Sequence, residues 1–298
     1  MMSVRPSRSR AATLIGMIAI ALWSALALLT ATAGAIPPFE LAALTFTIAS
    51  VLGVAFAAWR GRMSALRQPW LVWLVGIAGL FGYHALYFAA LSRAPAAEAS
   101  LIAYLWPLLI VLFSALLPGE RLLWRHVIGA ALGFAGAAAL FADKGALFSG
   151  GDWIGYALAL ACAFVWSAYS IASRQLRAAP TEAVAGFCMA TAALATICHF
   201  VFESSVAPAG LKQWLAIAGL GLGPVGVAFF VWDYGVKHGD IRLLGVASYA
   251  APALSTIILV AAGEAPARPA LGLACALIVI GALVASVGPR AAPAAAKP

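Results

Sequence analysis

The chain has 298 residues, of which 64% are hydrophobic and only 9% are charged, with a formal net charge of +8. Soluble domains carry about 25% charged residues, so the chain has too few to cover a water-exposed surface of its size, and lipid is the solvent that its apolar side chains fit. The basic residues lie in short clusters between apolar runs, which argues against a nucleic-acid-binding patch and is typical of membrane topology signals.

Ten apolar stretches, taken in chain order, are each long enough to cross a bilayer as a helix, which requires about 20 mostly apolar residues. They cover residues 11–31, 38–59, 70–92, 95–117, 122–142, 153–175, 182–202, 211–236, 242–262 and 268–288. These runs are too continuously apolar for the alternating strands of a membrane barrel. The sequence therefore predicts an all-α polytopic membrane protein with ten transmembrane helices.

The N-terminal stretch resembles a secretory leader, because three arginines precede an apolar run and residues 31–33 resemble a cleavage site. The apolar part of a leader usually has about 7–15 residues, and this one is longer. It also has a counterpart later in the chain. We therefore interpret it as the first spanning helix, preceded by a cytoplasmic N-terminal segment at residues 1–10.

Lysine and arginine are unevenly divided between the two sides of the predicted spans, with 14 of the 18 on one side and 4 on the other. The rich side is expected to be cytoplasmic. Both termini then lie in the cytoplasm, as an even number of helices requires. The alanine- and proline-rich tail at residues 289–298 is expected to be disordered.

An internal repeat relates the two halves of the chain. Its landmarks are Trp23-Ser24 and Trp166-Ser167, then Tyr104-x-x-Pro107 and Tyr249-x-x-Pro252, then Gly119-Glu120 and Gly263-Glu264. The three pairs occur in the same order, at offsets of 143, 145 and 144 residues. Each half, 11–145 and 150–288, contains five helices, so the second half must enter the membrane from the opposite face. Such inverted repeats recur in secondary transporters, with the substrate site near the midplane between the repeats.

These landmarks resemble the EamA branch of the drug/metabolite transporter superfamily, over about residues 10–288. More narrowly, Tyr83-His84, Tyr87 and the stretch Tyr104-Leu105-Trp106-Pro107 resemble the YddG-type aromatic amino-acid exporters. The resemblance implies a multi-pass exporter of aromatic and other neutral amino acids in the inner (plasma) membrane, with a central cavity. We expect alternating access between the repeats and a facilitative mode of transport.

The third predicted helix contains the most informative polar residues. Tyr83 and Tyr87 are four residues apart and share a helical face, which His84 borders. An ionisable side chain in mid-membrane is costly and usually faces a cavity or a partner. We expect His84 to face the cavity and to donate a ring N–H to a ligand carboxylate or ring edge. The alternative is a neutral histidine bonded to a neighbouring helix.

Nine side chains are candidates for binding substrate. They are Tyr83, His84, Tyr87, Tyr104, Trp106, Trp166, Tyr169, Trp232 and Tyr249. Trp166 and Tyr169 belong to a stripe on the sixth helix, continued by Ser170 and Ser173, that is either cavity wall or a set of interhelical hydrogen bonds.

Four residues are candidates for bends. Pro107 and Pro252 each remove an amide donor, which either frees a carbonyl beside the cavity or only kinks the helix. Gly223 and Pro224 lie in a glycine cluster of the eighth helix that is either a hinge or a close-packing surface. Asp233 is expected to form an ion pair with Lys237, one helical turn away.

No cofactor or metal is predicted, because the four cysteines lie in apolar runs and form no CxxC pair. An enzyme is disfavoured by the absence of an HExxH motif, and ATP-driven transport by the absence of a P-loop. A proton-coupled exporter of other small metabolites or drugs is the main alternative, and a channel remains open. The expected partners are amino-acid substrates and membrane lipid, with no nucleic acid, and the chain is expected to be a monomer.

Overall fold

The structure, a computed structural model, describes residues 6–118, 122–143 and 152–286. Within these ranges ten helices are long and apolar enough to span a membrane. They are α1 (Ser9–Ala33), α2 (Pro38–Trp59), α3 (Trp70–Leu91), α4 (Ala96–Leu116), α5 (Trp124–Ala142), α6 (Trp153–Gln175), α7 (Thr181–Phe202), α8 (Leu211–His238), α9 (Ile241–Ala261) and α10 (Pro269–Ser286). Each predicted span is confirmed, with both ends within two residues of the expected position. The Gly119-Glu120 landmark and the tail at residues 289–298 lie outside the described residues.

Helical breaks recur at the spacing of the sequence repeat. A π-helical turn interrupts α3 at Ala78–Gly82, and another interrupts α8 at Gly223–Val227, 145 residues later. The α4 helix breaks at residues 104–105, and α9 breaks at residues 248–249, 144 residues after the α4 break. Glycine and proline weaken the helix at these points, and π turns often occur at functional sites. The repeat therefore extends from the sequence landmarks to the backbone irregularities.

The packing of the helices has the same two-fold relation. The α2, α4 and α5 helices pack on α7, α9 and α10, each on its own counterpart in the other half, while α1 packs on α8 as α6 packs on α3. Exchanging the two halves leaves this pattern of contacts unchanged. Because each helix is five positions from its counterpart in the order of the helices, and five is odd, paired helices cross the membrane in opposite directions, which supports the inverted repeat.

The α2–α7 pair is braced at both ends. At one end, Glu203, the residue that follows α7, accepts hydrogen bonds from the first amides of α2, those of Phe39 and Glu40, at 2.9 and 3.0 Å. These are amides that a helix cannot satisfy internally. At the other end, Arg62 lies 2.7 Å from Glu182, near the start of α7. The two helices, one from each half, are thus tied to each other at both ends.

Close packing of α1 on α8 depends on two facing glycines. A Cβ atom at Gly235 would lie 2.6 Å from the Cα of Gly16, a backbone atom that cannot move aside. We expect Gly235→Ala to lower the free energy of unfolding by about 1–3 kcal/mol through overpacking. The measurement is unfolding of the purified protein in detergent. The control is Gly272→Ala in α10, where a Cβ meets nothing within 4 Å. That change should be neutral or stabilise by up to about 1 kcal/mol, and equal losses in both variants would contradict the argument.

Candidate functional site

A cavity of about 190 Å³ lies between the two halves. Six of the nine candidate residues line it: Tyr83, His84, Tyr87, Tyr104, Trp106 and Trp166. The lining also contains Trp23, Leu26, Ala103, Pro224, Val225, Phe229 and Ala251. These residues come from α1, α3 and α4 of the first half and from α6, α8 and α9 of the second. The helical breaks of α4, α8 and α9 all lie at or beside this lining.

A second cavity of about 640 Å³ adjoins the first and shares Tyr83, His84 and Tyr87 with it. It continues between α1, α2 and α3 and reaches Gly34 and Ile36 in the connection between α1 and α2. That connection is on the side with few lysines and arginines. The two cavities together form a path from the middle of the bundle toward this end.

Four tryptophans pack together at the floor of the central cavity and are called here the tryptophan cluster: Trp23, Trp106 and Trp166, which line the cavity, and Trp232, which lies directly beneath them. Every pair of their ring centroids lies between 5.1 and 6.2 Å apart. The indole nitrogen of Trp23 donates to the carbonyl of Pro224 in the α8 break at 3.0 Å. Trp232 is fully buried and donates to the hydroxyl of Ser170 at 3.2 Å. The cluster thus joins four helices and blocks the path toward the opposite end.

His84 differs from the role expected of it. Its Nδ1 lies 2.7 Å from the carbonyl oxygen of Leu80, and because a carbonyl only accepts, Nδ1 must carry the proton. In a neutral ring, Nε2 is then an acceptor, and it has no hydrogen-bond partner within the described residues. The ring is held edge-on to Phe46 and Phe229, with centroids 5.1 and 6.2 Å away. His84 therefore suits a donor such as an ammonium group rather than a carboxylate.

Several donors on the wall have no protein acceptor. The hydroxyl of Tyr104 and the indole N–H groups of Trp106 and Trp166 make no hydrogen bond with the part of the chain that the structure describes, whereas the hydroxyl of Tyr83 has the thiol of Cys162, a weak acceptor, as its partner. Tyr87 differs, because its hydroxyl lies 2.7 Å from that of Ser100 in α4. The wall thus offers three free donors and the Nε2 acceptor, and the described residues that line it include no Lys, Arg, Asp or Glu.

The break in α4 is stabilised by the second half of the chain. Pro107 has no N–H to donate to the carbonyl of Ala103, which lies in the cavity lining. The next amide, that of Leu108, donates to the hydroxyl of Tyr249 at 3.1 Å. Ser167 donates to the carbonyl of Trp106 at 2.9 Å. Tyr249 therefore lies outside the cavity and holds the kinked backbone of α4.

Three candidate residues are buried away from the cavity wall in this structure. Tyr249 packs between α4 and α5, Trp232 lies beneath the cavity floor, and Tyr169 lies against Gly79 in the α3 π turn. Ser170 and Ser173 are buried on the same face of α6 as Tyr169. Pro252 is buried in α9, one residue beyond Ala251 of the lining. Beyond Trp166, the α6 stripe formed by Tyr169, Ser170 and Ser173 is thus covered by other helices.

The predicted ion pair between Asp233 and Lys237 is confirmed, with Nζ and Oδ2 2.8 Å apart. Both side chains are almost fully buried, at 1% and 4% exposure. Thr181 of α7 donates to the same carboxylate at 2.7 Å, and Lys237 also donates to the carbonyl of Ala179 at 2.9 Å. The pair therefore ties the end of α8 to the α6–α7 connection.

Arg174, in the last turn of α6, closes the same end of the bundle. Its guanidinium donates to the carbonyls of Val236 and Gly239, both at 2.8 Å. These carbonyls are among those left free where α8 ends. Together with the Asp233–Lys237 pair, Arg174 seals the end that is rich in lysine and arginine, below the tryptophan cluster.

Sequence reasoning missed parts of the site. Trp23 was recognised only as the repeat counterpart of Trp166, although that symmetry could have identified it as a wall residue. Phe229 shares a helical face with Trp232 and was not selected. Nothing in the sequence links Thr181 to Asp233, since 52 residues separate them.

Comparisons with known proteins agree with this architecture. The family model described as "EamA-like transporter family" matches residues 10–142 and 153–287, one match in each half. The chain is 59% identical to the aromatic amino acid exporter YddG of Ancylobacter novellus over 94% of this chain and 98% of that protein. It is 25% identical to the Salmonella typhimurium exporter of the same name, over 95% and 99%. A solved crystal structure matches with a TM-score of 0.89 at 60% identity, covering 94% of this chain and 98% of the other.

Proposed function

Since the chain belongs to the EamA-like transporter family, we propose that it exports aromatic and other neutral amino acids through the cavity between its halves. The family resemblance expected from the motifs is confirmed, and the chain is a multi-pass membrane transporter. The observation that carries the proposed substrate class is the cavity wall, which combines aromatic rings with free donors and no charged side chain. The names of the relatives support the same substrate class.

A zwitterionic aromatic amino acid matches this wall group by group. Its ring fits against Trp106, Trp166 and Phe229, where each edge-to-face contact contributes about 0.5–1.5 kcal/mol beyond burial. The hydroxyl of Tyr104 can donate to its carboxylate, and the hydroxyl of Tyr83 can do so by exchanging the weak Cys162 thiol acceptor for the carboxylate. The Nε2 of His84 and the carbonyl of Ala103 can accept from its ammonium group. Each of these bonds joins an uncharged protein group to a charged ligand group and contributes about 1.5–3 kcal/mol, without an ion pair that would hold the cargo too tightly for release.

The closed and open ends of the path support alternating access as the mode of transport. In this conformation the cavities extend toward the lysine- and arginine-poor end, and the tryptophan cluster and the Asp233–Lys237 pair close the other. We propose that exchanging the conformations of the two halves opens the closed end and exposes the α6 stripe of Tyr169, Ser170 and Ser173. This would make the buried stripe the inner wall of the path.

The α8 break is the proposed hinge for that exchange. A Cβ at Gly223 would lie 3.7 Å from the nearest atom, on Leu22, so alanine fits without a clash. Because alanine favours a helix by about 1 kcal/mol over glycine, Gly223→Ala should stiffen the break and slow exchange about fivefold with little change in binding. The measurement is counterflow of labelled phenylalanine in proteoliposomes. Gly272→Ala, an equivalent change in unbroken α10, should leave the rate unaltered, and an unchanged rate in Gly223→Ala would indicate a packing role instead.

We further propose that the chain lies in the inner membrane as a monomer, with both termini on the cytoplasmic side. The clustering of lysine and arginine supports this orientation. Accessibility of single cysteines placed at the two ends of α2 in intact cells would test it.

Uptake into proteoliposomes tests the substrate and the mode of transport. Labelled phenylalanine, threonine and a quaternary ammonium cation are compared with and without a pH gradient. Phenylalanine and threonine uptake that is indifferent to the gradient is expected for a facilitative exporter. Gradient-driven movement of the cation alone would overturn the proposal in favour of a proton-coupled drug exporter. The cavity lining argues against that outcome, because it offers no carboxylate to exchange a proton for a cation.

A further inference from the structure

A third cavity, separate from the substrate path, opens at the lysine- and arginine-rich end. It has a volume of about 500 Å³ and is bounded by α1, α2, α7 and α8. Its rim carries Arg60 and Arg62, which directly follow the exposed Trp59 at the end of α2. The part of its wall toward the bilayer core is apolar and includes Phe56, Phe230 and Val231, while Thr181, Glu182, Tyr234 and His238 also line the groove. We call it the interfacial groove, since it joins a charged rim to an apolar wall at the edge of the spanning helices.

Two cations on the rim share one nearby carboxylate, that of Glu182, and only one of them lies in ion-pair contact with it. The guanidinium of Arg62 is paired with Glu182 at 2.7 Å. Arg60 forms no ion pair with the described residues, and its guanidinium lies over the ring of Phe56, 5.9 Å from the centroid. Phe56 is itself 48% exposed, on the surface that faces lipid in a spanning bundle. An exposed cation is therefore held directly above an exposed aromatic ring.

This combination selects an amphiphile with a negative headgroup. A small water-soluble anion would make no contact with the apolar wall. A zwitterionic lipid would place a positively charged group beside the arginines of the rim, which would repel it. Basic pockets between transmembrane helices at the cytoplasmic surface are suited to anionic lipid headgroups. We propose that the interfacial groove binds one anionic phospholipid, with its phosphate on Arg60 and an acyl chain against Phe56 and Phe230.

Such a lipid would bridge the two halves of the protein. The α1 and α2 helices belong to the first half, and α7 and α8 belong to the second. Thr181, in the groove wall, also holds Asp233 in the closed end. A lipid in the groove therefore stabilises the conformation in which this end is closed.

The test is lipid binding by the purified full-length chain in detergent, followed by native mass spectrometry and by the thermal unfolding midpoint. Phosphatidylglycerol should bind and raise the midpoint, and phosphatidylcholine should do neither. Arg60→Ala should weaken phosphatidylglycerol binding about tenfold, as expected for loss of a hydrogen bond between charged groups, and Arg60→Glu should abolish it. The matched control is Arg67→Ala, an exposed arginine in the same connection that lies outside the groove.

Three outcomes would overturn the proposal. One is equal binding of phosphatidylcholine and phosphatidylglycerol by the wild type. Another is an equal loss in Arg60→Ala and Arg67→Ala, which would show only a general effect of surface charge. The third is a thermal shift with inorganic phosphate as large as that with the lipid. None of these outcomes bears on which amino acid the central cavity carries.

Discussion

Replacing Asp233 with alanine is expected to lower the free energy of unfolding by about 3–5 kcal/mol, because it leaves the Lys237 ammonium buried without its counter-ion. Lys237 is only 4% exposed, and its other bond is to a single backbone carbonyl, that of Ala179. The carboxylate also holds Thr181, so its loss frees the start of α7 from the end of α8. Titration with a denaturing detergent, followed by far-UV circular dichroism, measures the change.

A double variant separates the buried charge from the other contacts. Asp233→Ala with Lys237→Met removes both charges and keeps the length of the lysine stem, so it should recover most of the lost stability. Thr181→Val removes one neutral hydrogen bond and should cost only about 1 kcal/mol. If Asp233→Ala alone is as stable as the wild type, or if the double variant is no more stable than the single one, the pair does not hold this end closed.

Replacing His84 with phenylalanine is expected to reduce phenylalanine transport by at least about tenfold in kcat/KM, since a hydrogen bond to a charged group contributes about 1.5–3 kcal/mol. The substituted side chain at position 84 keeps an aromatic ring against Phe46 and Phe229 and removes the Nε2 acceptor. The fold should therefore survive, which thermal unfolding checks. The transport assay is initial uptake into proteoliposomes over a range of substrate concentrations.

The substrate itself provides the sharper control for this prediction. 3-Phenylpropionate has the ring and the carboxylate of phenylalanine but no ammonium group. If His84 accepts from the ammonium group, wild type should prefer phenylalanine and His84→Phe should lose that preference. If His84→Phe transports both substrates more slowly to the same extent, His84 has a packing role. If the variant transports phenylalanine at the normal rate, His84 does not bind the substrate. His238→Ala, which changes a histidine outside the substrate path, should leave both activities intact.

The helices and the repeat could be predicted because lipid imposes a simple rule. Every backbone group must be satisfied within the spanning segment, so length and hydropathy alone locate each span. Three short landmarks at nearly the same offset were enough to detect the repeat in the sequence. The breaks in the helices recur at that same offset. The face of α3 that bears Tyr83, His84 and Tyr87 was also predictable, because helical periodicity places these residues together and polar groups avoid lipid.

Helical periodicity assigns a residue to a face but does not say what covers that face, and this was decided by the tertiary structure. Tyr104 and Tyr249 occupy equivalent positions of the repeat, yet Tyr104 lines the cavity and Tyr249 accepts a hydrogen bond from the Leu108 amide. The two residues differ because the cavity opens toward one end of the bundle only, so the two halves do not have the same surroundings. The tautomer of His84, in contrast, is set within α3 itself, because its acceptor is the carbonyl of Leu80 four residues earlier. The seal made by Arg174, Thr181 and Asp233 joins residues 52 to 65 positions apart, and only chain packing brings those charges and carbonyls within bonding distance.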